Sequence, residues 1–217
     1  MERPDSNRST TRRWVQWSGV AAVGGAVLWT LPPWLQLATI GTRPYVATPF
    51  DVGTLVGWLL MLAGLGGARA CYGDRLGRIG RVGLGLSAVG MVLVAGLYLR
   101  RVVVFAGSGF RPVPATGEDP TGLVLTWAVL LGFGLTLAGA GLLGVGLWRL
   151  DRRGSLAGGL LVAAPLFVVL VVGLGVGSLL PLPIGRAVVR TNLGVVPFAI
   201  GWMALGRSVY TRSRDVG

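Results

Sequence analysis

The chain has 217 residues, of which 53% are apolar and 13% charged, and its mean hydropathy is +0.69. Soluble domains average about 25% charged residues, so this composition excludes an ordinary soluble globule. The net charge of +12 would suit a nucleic-acid partner, but the basic residues form short clusters between apolar runs. That distribution orients helices in a membrane. We therefore expect an integral membrane protein that binds no nucleic acid.

Several kinds of chemistry are excluded by residue types that the chain lacks. All 20 basic residues are Arg, and there is no His. Without Lys there is no Schiff base, and without His there is no histidine-ligated haem or metal and no Ser-His catalysis. The single cysteine, Cys71, cannot form an internal disulfide and is interpreted as a structural thiol. We therefore predict no cofactor, no metal and no catalytic residues, and a protein that is not an enzyme.

Six apolar stretches are each long enough to cross a bilayer, whose hydrocarbon core takes about 20 helical residues. They predict an all-α integral membrane protein, a bundle of six transmembrane helices with both termini in the cytoplasm. One membrane domain covers 14–210, between a disordered basic tail at 1–13 and a C-terminal tail at 211–217. The predicted spans are 14–34, 51–72, 82–101, 120–148, 155–180 and 184–207.

Arg12 and Arg13 precede the first predicted span. They are interpreted as a positive anchor for a span that is retained, since no small-residue cleavage site ends the apolar run. A twin-arginine export signal is the alternative.

Tryptophans and prolines mark the limits of the first span. Trp14 and Trp17 are expected at one membrane interface, and Trp29 and Trp34 at the other. The Pro32-Pro33 pair removes two backbone donors and clashes with the preceding turn. We therefore predict that the first helix ends or bends sharply at these prolines, and that 36–50 is a loop.

The next spans carry caps and small residues. Asp51 is predicted to cap the second span, and Gly53 and Gly57 form a GxxxG pair that permits close helix contact. The Asp119-Pro120 pair predicts the start of the fourth span, which is rich in Gly. Pro165 is expected to bend the fifth.

Two further patterns concern orientation and symmetry. Fourteen of the 20 arginines lie on the side that holds both termini, so the positive-inside rule predicts cytoplasmic termini, with the reversed orientation as the alternative. The six arginines of the other side are Arg43, Arg100, Arg101, Arg111, Arg186 and Arg190.

Aligning Trp58 with Trp127 also aligns Gly53 with Gly122, which suggests a hairpin repeat of the transporter kind. A chain rich in Gly, Leu and Val also produces such internal similarity by composition alone.

The last apolar stretch, 184–210, is the most unusual because it combines basic residues, an amide and Pro197. Arg186 and Arg190 are four apart and so share one helix face. With the predicted orientation they fall at the outer membrane interface. There they join a candidate polar cluster at the outer rim, formed by Arg186, Arg190, Asn192, Asp51, Glu118, Asp119, Arg100 and Arg101.

This outer-rim cluster has two interpretations. The functional one is an outward vestibule in which Arg190 and Asn192 offer donors to an anion or a lipid phosphate. The structural one, which we favour, is that Arg190 reaches the interface or pairs with Asp51 or with the Glu118–Asp119 pair. In that interpretation Asn192 forms a hydrogen bond between helices, and Pro197 is a tolerated kink rather than a gating hinge.

Three hypotheses of function follow. The leading one is a non-enzymatic accessory or scaffold subunit of the cell membrane, since the predicted spans lack an acid near their midpoints and are rich in Gly. The alternative is a small transporter or permease component for an anionic or lipidic solute. The third, an enzyme acting on a lipid headgroup through Glu118 or Asp119, is the weakest because both acids have capping roles. The expected partners are membrane lipids and another membrane protein or further copies of the chain.

Overall fold

The computed structural model describes residues 5–40, 45–114, 120–150, 152–169 and 186–215. Side chains are described over 11–36, 38–39, 47–113, 127–150, 156–169 and 196–213. The described residues form six α-helices and one short antiparallel ladder. The elements are α1 Asp5–Ile40, β1 Tyr45–Ala47, α2 Phe50–Tyr72, α3 Arg78–Gly107, β2 Val113–Pro114, α4 Pro120–Trp148, α5 Arg152–Val168 and α6 Arg186–Asp215.

The predicted all-helical fold is confirmed. Among the described residues, four helical segments are long and apolar enough to cross a membrane. A fifth apolar segment, in α5, is shorter and covers Leu156–Val168. The four longer segments are Thr11–Gln36, Phe50–Tyr72, Arg78–Gly107 and Trp127–Trp148.

The six helices form a closed ring. Each helix packs against the next one in the chain, and α6 returns to pack against α1. Neighbours run antiparallel: Gly25 of α1 lies beside Gly57 of α2, while the earlier Ser18 lies beside the later Gly67. The same crossing pattern holds for α3 with α4 and for α6 with α1.

This alternation gives the ring two different ends. The basic end contains the start of α1, the α2–α3 turn, the α4–α5 turn and the end of α6. Its members meet directly, since the Arg212 guanidinium of α6 lies 4.9 Å from the Tyr72 ring centre of α2. The opposite end contains the end of α1, the start of α2, the end of α3 and the two short strands, and we call it the clasp end.

Helix backbones approach closely where glycine removes the side chain. A Cβ added to Gly25 would lie 2.7 Å from the Gly57 carbonyl oxygen, and one added to Gly144 would lie 2.6 Å from the Gly158 oxygen. Gly57 thus makes the close contact that the GxxxG pattern predicted, and α1 is its partner. Small residues of this kind let transmembrane helices pack through their backbones.

An aromatic core fills the centre of the ring. Trp29 of α1 contacts Trp58 of α2, with ring centres 5.1 Å apart, and Phe198 of α6 at 5.3 Å, both edge to face. Phe133 of α4 completes the group, 5.9 Å from Trp29, and Trp202 lies against Phe198. The core therefore joins four helices, including α1 and α4, which are not neighbours in the ring.

The prediction for Trp29 was wrong. It was placed at a membrane interface, but its side chain is only 4% exposed and lies in the aromatic core. Ala22 and Ala26 are buried on the same face of α1. This 4-3 spacing marks the inward stripe of a helix, and it outweighs the general preference of Trp for membrane interfaces.

Pro32-Pro33 does not end α1, which continues to Ile40, so the first five residues of the loop predicted at 36–50 are helical. The neighbouring helix makes room for one of the rings: a Cβ on Gly53 would lie 3.2 Å from Pro32 Cγ. Proline is tolerated in transmembrane helices when neighbouring groups compensate for the lost backbone bonds. The same pairing recurs between Pro165 of α5 and Gly141 of α4, also at 3.2 Å.

Helices also extend beyond the predicted spans. α1 begins at Asp5 and α6 ends at Asp215, so residues 5–13 and 211–215, predicted as tails, are helical. α3 continues past Arg100 and Arg101 to Gly107. Extending an existing helix adds one hydrogen bond per ordered residue without a new nucleus, so helices can project beyond the apolar run. The predicted part of the fifth span at 170–180 lies outside the described residues.

The proposed hairpin repeat is contradicted by burial. Trp58 is fully buried in the aromatic core, whereas Trp127, its supposed equivalent, is 65% exposed on the outside of α4. Equivalent positions in a repeat should occupy equivalent environments. The similarity between the two segments therefore reflects their shared richness in Gly, Leu and Val.

We expect two adjacent glycines of α1 to respond oppositely to the same change. Gly25→Ala should destabilise the protein by about 1–3 kcal/mol, because the new Cβ would meet two backbone atoms of α2, Gly57 O and Met61 N, at 2.7 Å. Gly24→Ala, whose Cβ would meet nothing within 4 Å, should be neutral or stabilising by up to about 1 kcal/mol. Unfolding in mixed micelles with increasing SDS measures both, and equal effects would contradict the packing.

Candidate functional site

The start of α2 builds a polar centre at the clasp end. Pro49 has helical dihedral angles, φ −60° and ψ −25°, so Thr48 occupies the N-cap position and Asp51 the third helical one. The Asp51 carboxylate reaches back, and its Oδ2 accepts a hydrogen bond from the Thr48 N–H at 2.6 Å and from the Thr48 hydroxyl at 3.2 Å. This is the reciprocal half of a capping box.

The other carboxylate oxygen binds an arginine of a neighbouring helix. Arg101 of α3 donates from Nε to Asp51 Oδ1 at 2.8 Å, and this is the one ion pair found among the described residues. Asp51 is 3% exposed, whereas the Arg101 side chain is 32% exposed. The Arg101 guanidinium also lies 5.7 Å from the ring centre of Tyr98, one turn earlier on α3. We call Thr48, Asp51, Tyr98 and Arg101 the clasp.

The two short strands lie beside the clasp. β1 pairs with β2 in antiparallel register, with Tyr45 opposite Pro114 and Ala47 opposite Val113. β1 also packs against α3 and leads directly into Thr48. The ladder therefore ties the connection between α1 and α2 to the connection after α3.

The end of α3 is shaped by a Schellman motif. The Phe110 N–H donates to the Phe105 carbonyl at 3.1 Å, and the Gly109 N–H to the Ala106 carbonyl at 3.1 Å. Gly109 has φ +69°, the left-handed conformation that glycine adopts at little cost. The Phe105 and Phe110 rings pack edge to face 5.6 Å apart, which is the hydrophobic contact typical of this motif. The motif turns the chain toward β2.

The structure joins two of the eight predicted rim residues. Asp51 and Arg101 form the ion pair, while the Arg100 side chain is exposed and makes no ion pair with any described residue. Glu118 and Asp119 lie outside the described residues. The expected pairing of Asp51 with an arginine is present, and its partner among the described side chains is Arg101.

The other three predicted residues, Arg186, Arg190 and Asn192, lie in the first turns of α6, and their side chains are outside the described ones. Their depth follows from the backbone. Phe198 is level with the aromatic core, and Arg190 precedes it by eight residues, or about 12 Å of helix. Asp51 precedes Trp58 by about 10 Å. The Arg190 backbone therefore lies near the level of the clasp.

Sequence reasoning missed Thr48 and Tyr98. Thr48 could have been found, because Thr-Pro-x-Asp combines an N-cap threonine, a proline at the first helical position and an acid two residues later. The predicted role of Asp51 as the cap itself needs correction, because Thr48 takes that position. Tyr98 lies three residues before Arg101 on the same face of α3, so it could be found only once Arg101 was known to be the partner of Asp51.

The chemistry of the clasp is that of a structural joint. Both Asp51 oxygens accept hydrogen bonds, one from Thr48 and the other from the Arg101 guanidinium. Among the described residues there is also no group of three or more His, Cys, Asp or Glu side chains that could hold a metal ion. The clasp is therefore equipped to hold α2, α3 and the strand ladder together.

Breaking the clasp should loosen the clasp end. We expect Asp51→Asn and Arg101→Gln each to lower the free energy of unfolding by about 1–3 kcal/mol, less than the 3–5 of a fully buried pair because Arg101 is one-third exposed. Arg100→Gln is the matched control and should change stability by less than about 0.5 kcal/mol. SDS unfolding of the single variants and the double variant measures the coupling, and additive effects would contradict the pair.

Comparison of the chain with known proteins gave no match: no protein-family model, no characterised protein and no solved structure is similar to it.

Proposed function

We propose that the chain is a six-span protein of the cell membrane with both termini in the cytoplasm. Two distances along helices support the placement in a bilayer. On α3, Arg81 and Arg101 are 20 residues apart, or about 30 Å, which matches a hydrocarbon core. On α4, the exposed tryptophans Trp127 and Trp148 are about 31 Å apart, the spacing of two interfacial aromatic belts.

The orientation is supported by the arginines at the two ends. Among the described residues, the basic end of the ring carries thirteen arginines and the clasp end five, and the positive-inside rule assigns the richer end to the cytoplasm. The direct contact between Arg212 of α6 and Tyr72 of α2 supports placing the C-terminus and the α2–α3 turn on the same side.

Single cysteines test this orientation. In a Cys71→Ser background, Arg111→Cys at the clasp end should react in intact cells with a membrane-impermeant maleimide. Asp74→Cys in the α2–α3 turn should react only after lysis. Both positions are exposed on the protein, so accessibility reports the side of the membrane. Labelling of Asp74→Cys alone in intact cells would reverse the assignment.

For its activity, we propose a non-catalytic accessory or scaffold subunit that holds another membrane protein or further copies of itself. The observation that carries this proposal is the aromatic core. Where a carrier would need a path through the ring, Trp29, Trp58, Phe133 and Phe198 meet with ring centres 5.1–6.2 Å apart. The clasp, whose acid is fully engaged, supports a structural role as well.

The outside of α4 supplies a surface for a partner helix. Gly134 and Ala138 are both exposed and four residues apart, which forms a small-xxx-small pair. A Cβ on Gly134 would meet no described residue within 4 Å, so no described helix of the ring packs on this pair. The opposite face of α4 packs against α3 through Gly132 and Gly139. α4 therefore has one small-residue face occupied and one open.

A carrier for an anionic or lipidic solute is the second candidate. It is favoured by the Trp58 and Trp202 indole N–H groups, which are buried and have no acceptor among the described residues. Pro197 lies inside α6 beside this core. Buried donors without partners are costly, and a solute passing through the ring could accept from them.

Crosslinking in native membranes separates the two candidates. We expect the protein to be recovered in crosslinked complexes, and Gly134→Leu with Ala138→Leu to reduce their yield severalfold because the added side chains keep a partner helix away. Gly24→Leu, at another open glycine, is the control and should keep the yield. Recovery of a free monomer only would contradict the subunit role. Solute flux into liposomes that is lost in Arg190→Ala would then identify a carrier.

A further inference from the structure

The start of α3 carries a group of arginines whose role is not explained by the fold. Arg75, Arg78 and Arg81 are all exposed and have no ion pair or hydrogen bond from their side chains to any residue that the structure describes. This contrasts with Arg101, which binds Asp51, and with Arg212, which lies over Tyr72. Asp74 is the one acid in this turn, so three arginines within seven residues leave an excess of positive charge that attracts an anion.

These arginines are held on a well-defined turn. The N–H groups of Arg75 and Leu76 both donate to the Tyr72 carbonyl, at 2.9 and 2.8 Å. The Leu76 side chain is buried and packs against Gly80 and Gly146, which fixes the turn against the end of α4. The backbone of these arginines is thus fixed before any ligand binds, which lowers the conformational entropy lost on binding.

An apolar track continues from the arginines along the outer face of α3. Val82, Gly85, Val89 and Val92 follow one another at spacings of three and four residues and are all exposed. This spacing keeps them on the helix face that begins with Arg78. Gly85 has no side chain and so leaves a depression at the middle of the track, where an added Cβ would meet no described residue within 4 Å.

We propose that this surface, formed by Arg75, Arg78, Arg81 and the track from Val82 to Val92, binds one anionic phospholipid. The arginines bind the phosphate groups, and an acyl chain lies along the track. Guanidinium groups suit phosphate because they donate two parallel hydrogen bonds. The combination of a cationic head and an apolar track on one helix face matches a lipid, whereas a free anion would use the arginines alone.

The depth of the surface agrees with this ligand. Gly80 of α3 lies against Gly146 of α4, so Arg78 and Arg81 are near the level of Trp148, which is exposed. An exposed tryptophan at the end of an apolar helix marks the headgroup region of a membrane. The surface therefore meets lipid headgroups in either orientation of the protein, and the inference is independent of the proposed partner.

Lipid retention by the purified full-length protein tests this site. The protein is prepared in mixed micelles with equal amounts of phosphatidylglycerol and phosphatidylcholine, and the bound lipid is counted by native mass spectrometry. We expect wild type to retain phosphatidylglycerol preferentially. Arg78→Gln with Arg81→Gln should weaken that preference by about tenfold or more, as expected for two lost cation–phosphate interactions.

The control is Arg100→Gln with Arg111→Gln, two exposed arginines of the clasp end, which should keep the wild-type preference. All variants are first shown to elute as the same single species, so that loss of lipid is not loss of fold. Equal retention of both lipids by wild type would overturn the proposal, as would an equal loss in the control. Displacement of the lipid by millimolar inorganic phosphate would overturn it too, because the apolar track would then contribute nothing.

Discussion

Backbone contact between helices at glycine positions is the interaction on which the rest of this structure depends. Lipid chains are as apolar as leucine, so helices in a bilayer gain little from burying apolar side chains and associate through close packing instead. Here Gly25 with Gly57 and Gly144 with Gly158 bring neighbouring helices within van der Waals contact of each other's carbonyl oxygens. These contacts allow six helices of a 217-residue chain to close into a ring.

Once the helices lie this close, their register decides what meets inside. The contact of Gly25 with Gly57 places Trp29, one turn after Gly25 on α1, beside Trp58, the residue that follows Gly57 on α2. Phe198 reaches the same level from α6, because α6 packs on α1 through Gly206 and Gly19. The small residues thus bring the helices together, and the large aromatic residues fill the space that remains at the centre. Edge-to-face aromatic pairs add about 0.5–1.5 kcal/mol each beyond burial.

Charged side chains are paired at one end of the ring and exposed at the other. At the clasp end the buried Asp51 carboxylate is satisfied by Thr48 and Arg101, as a charge removed from water must be. At the basic end Arg78 and Arg81 stay exposed without a partner among the described residues, which costs little next to water and anionic headgroups. The clasp therefore pairs its charges inside the protein, while Arg78 and Arg81 at the basic end remain on its surface.

Several features could be predicted from the sequence because they depend only on whether a segment is apolar enough to leave water. The bounds of α2 and α4 were predicted within one residue of Phe50–Tyr72 and Pro120–Trp148, since apolar length and terminal caps are local properties. The pairing of Asp51 with an arginine could be anticipated from the need to neutralise an acid at the membrane edge. The sequence could not say which arginine, because Arg100 and Arg101 differ only in the direction they face on α3. The same limit explains Trp29, Trp58 and Trp127: hydropathy places all three in spans, but only helix packing decided that the first two fill the core and the third faces outward. The continuation of α1 through Pro32-Pro33 also required the tertiary structure, because the glycine that accommodates the Pro32 ring belongs to another helix. The sequence by itself thus determined which segments form apolar helices, and packing between helices decided which faces meet and which charges pair.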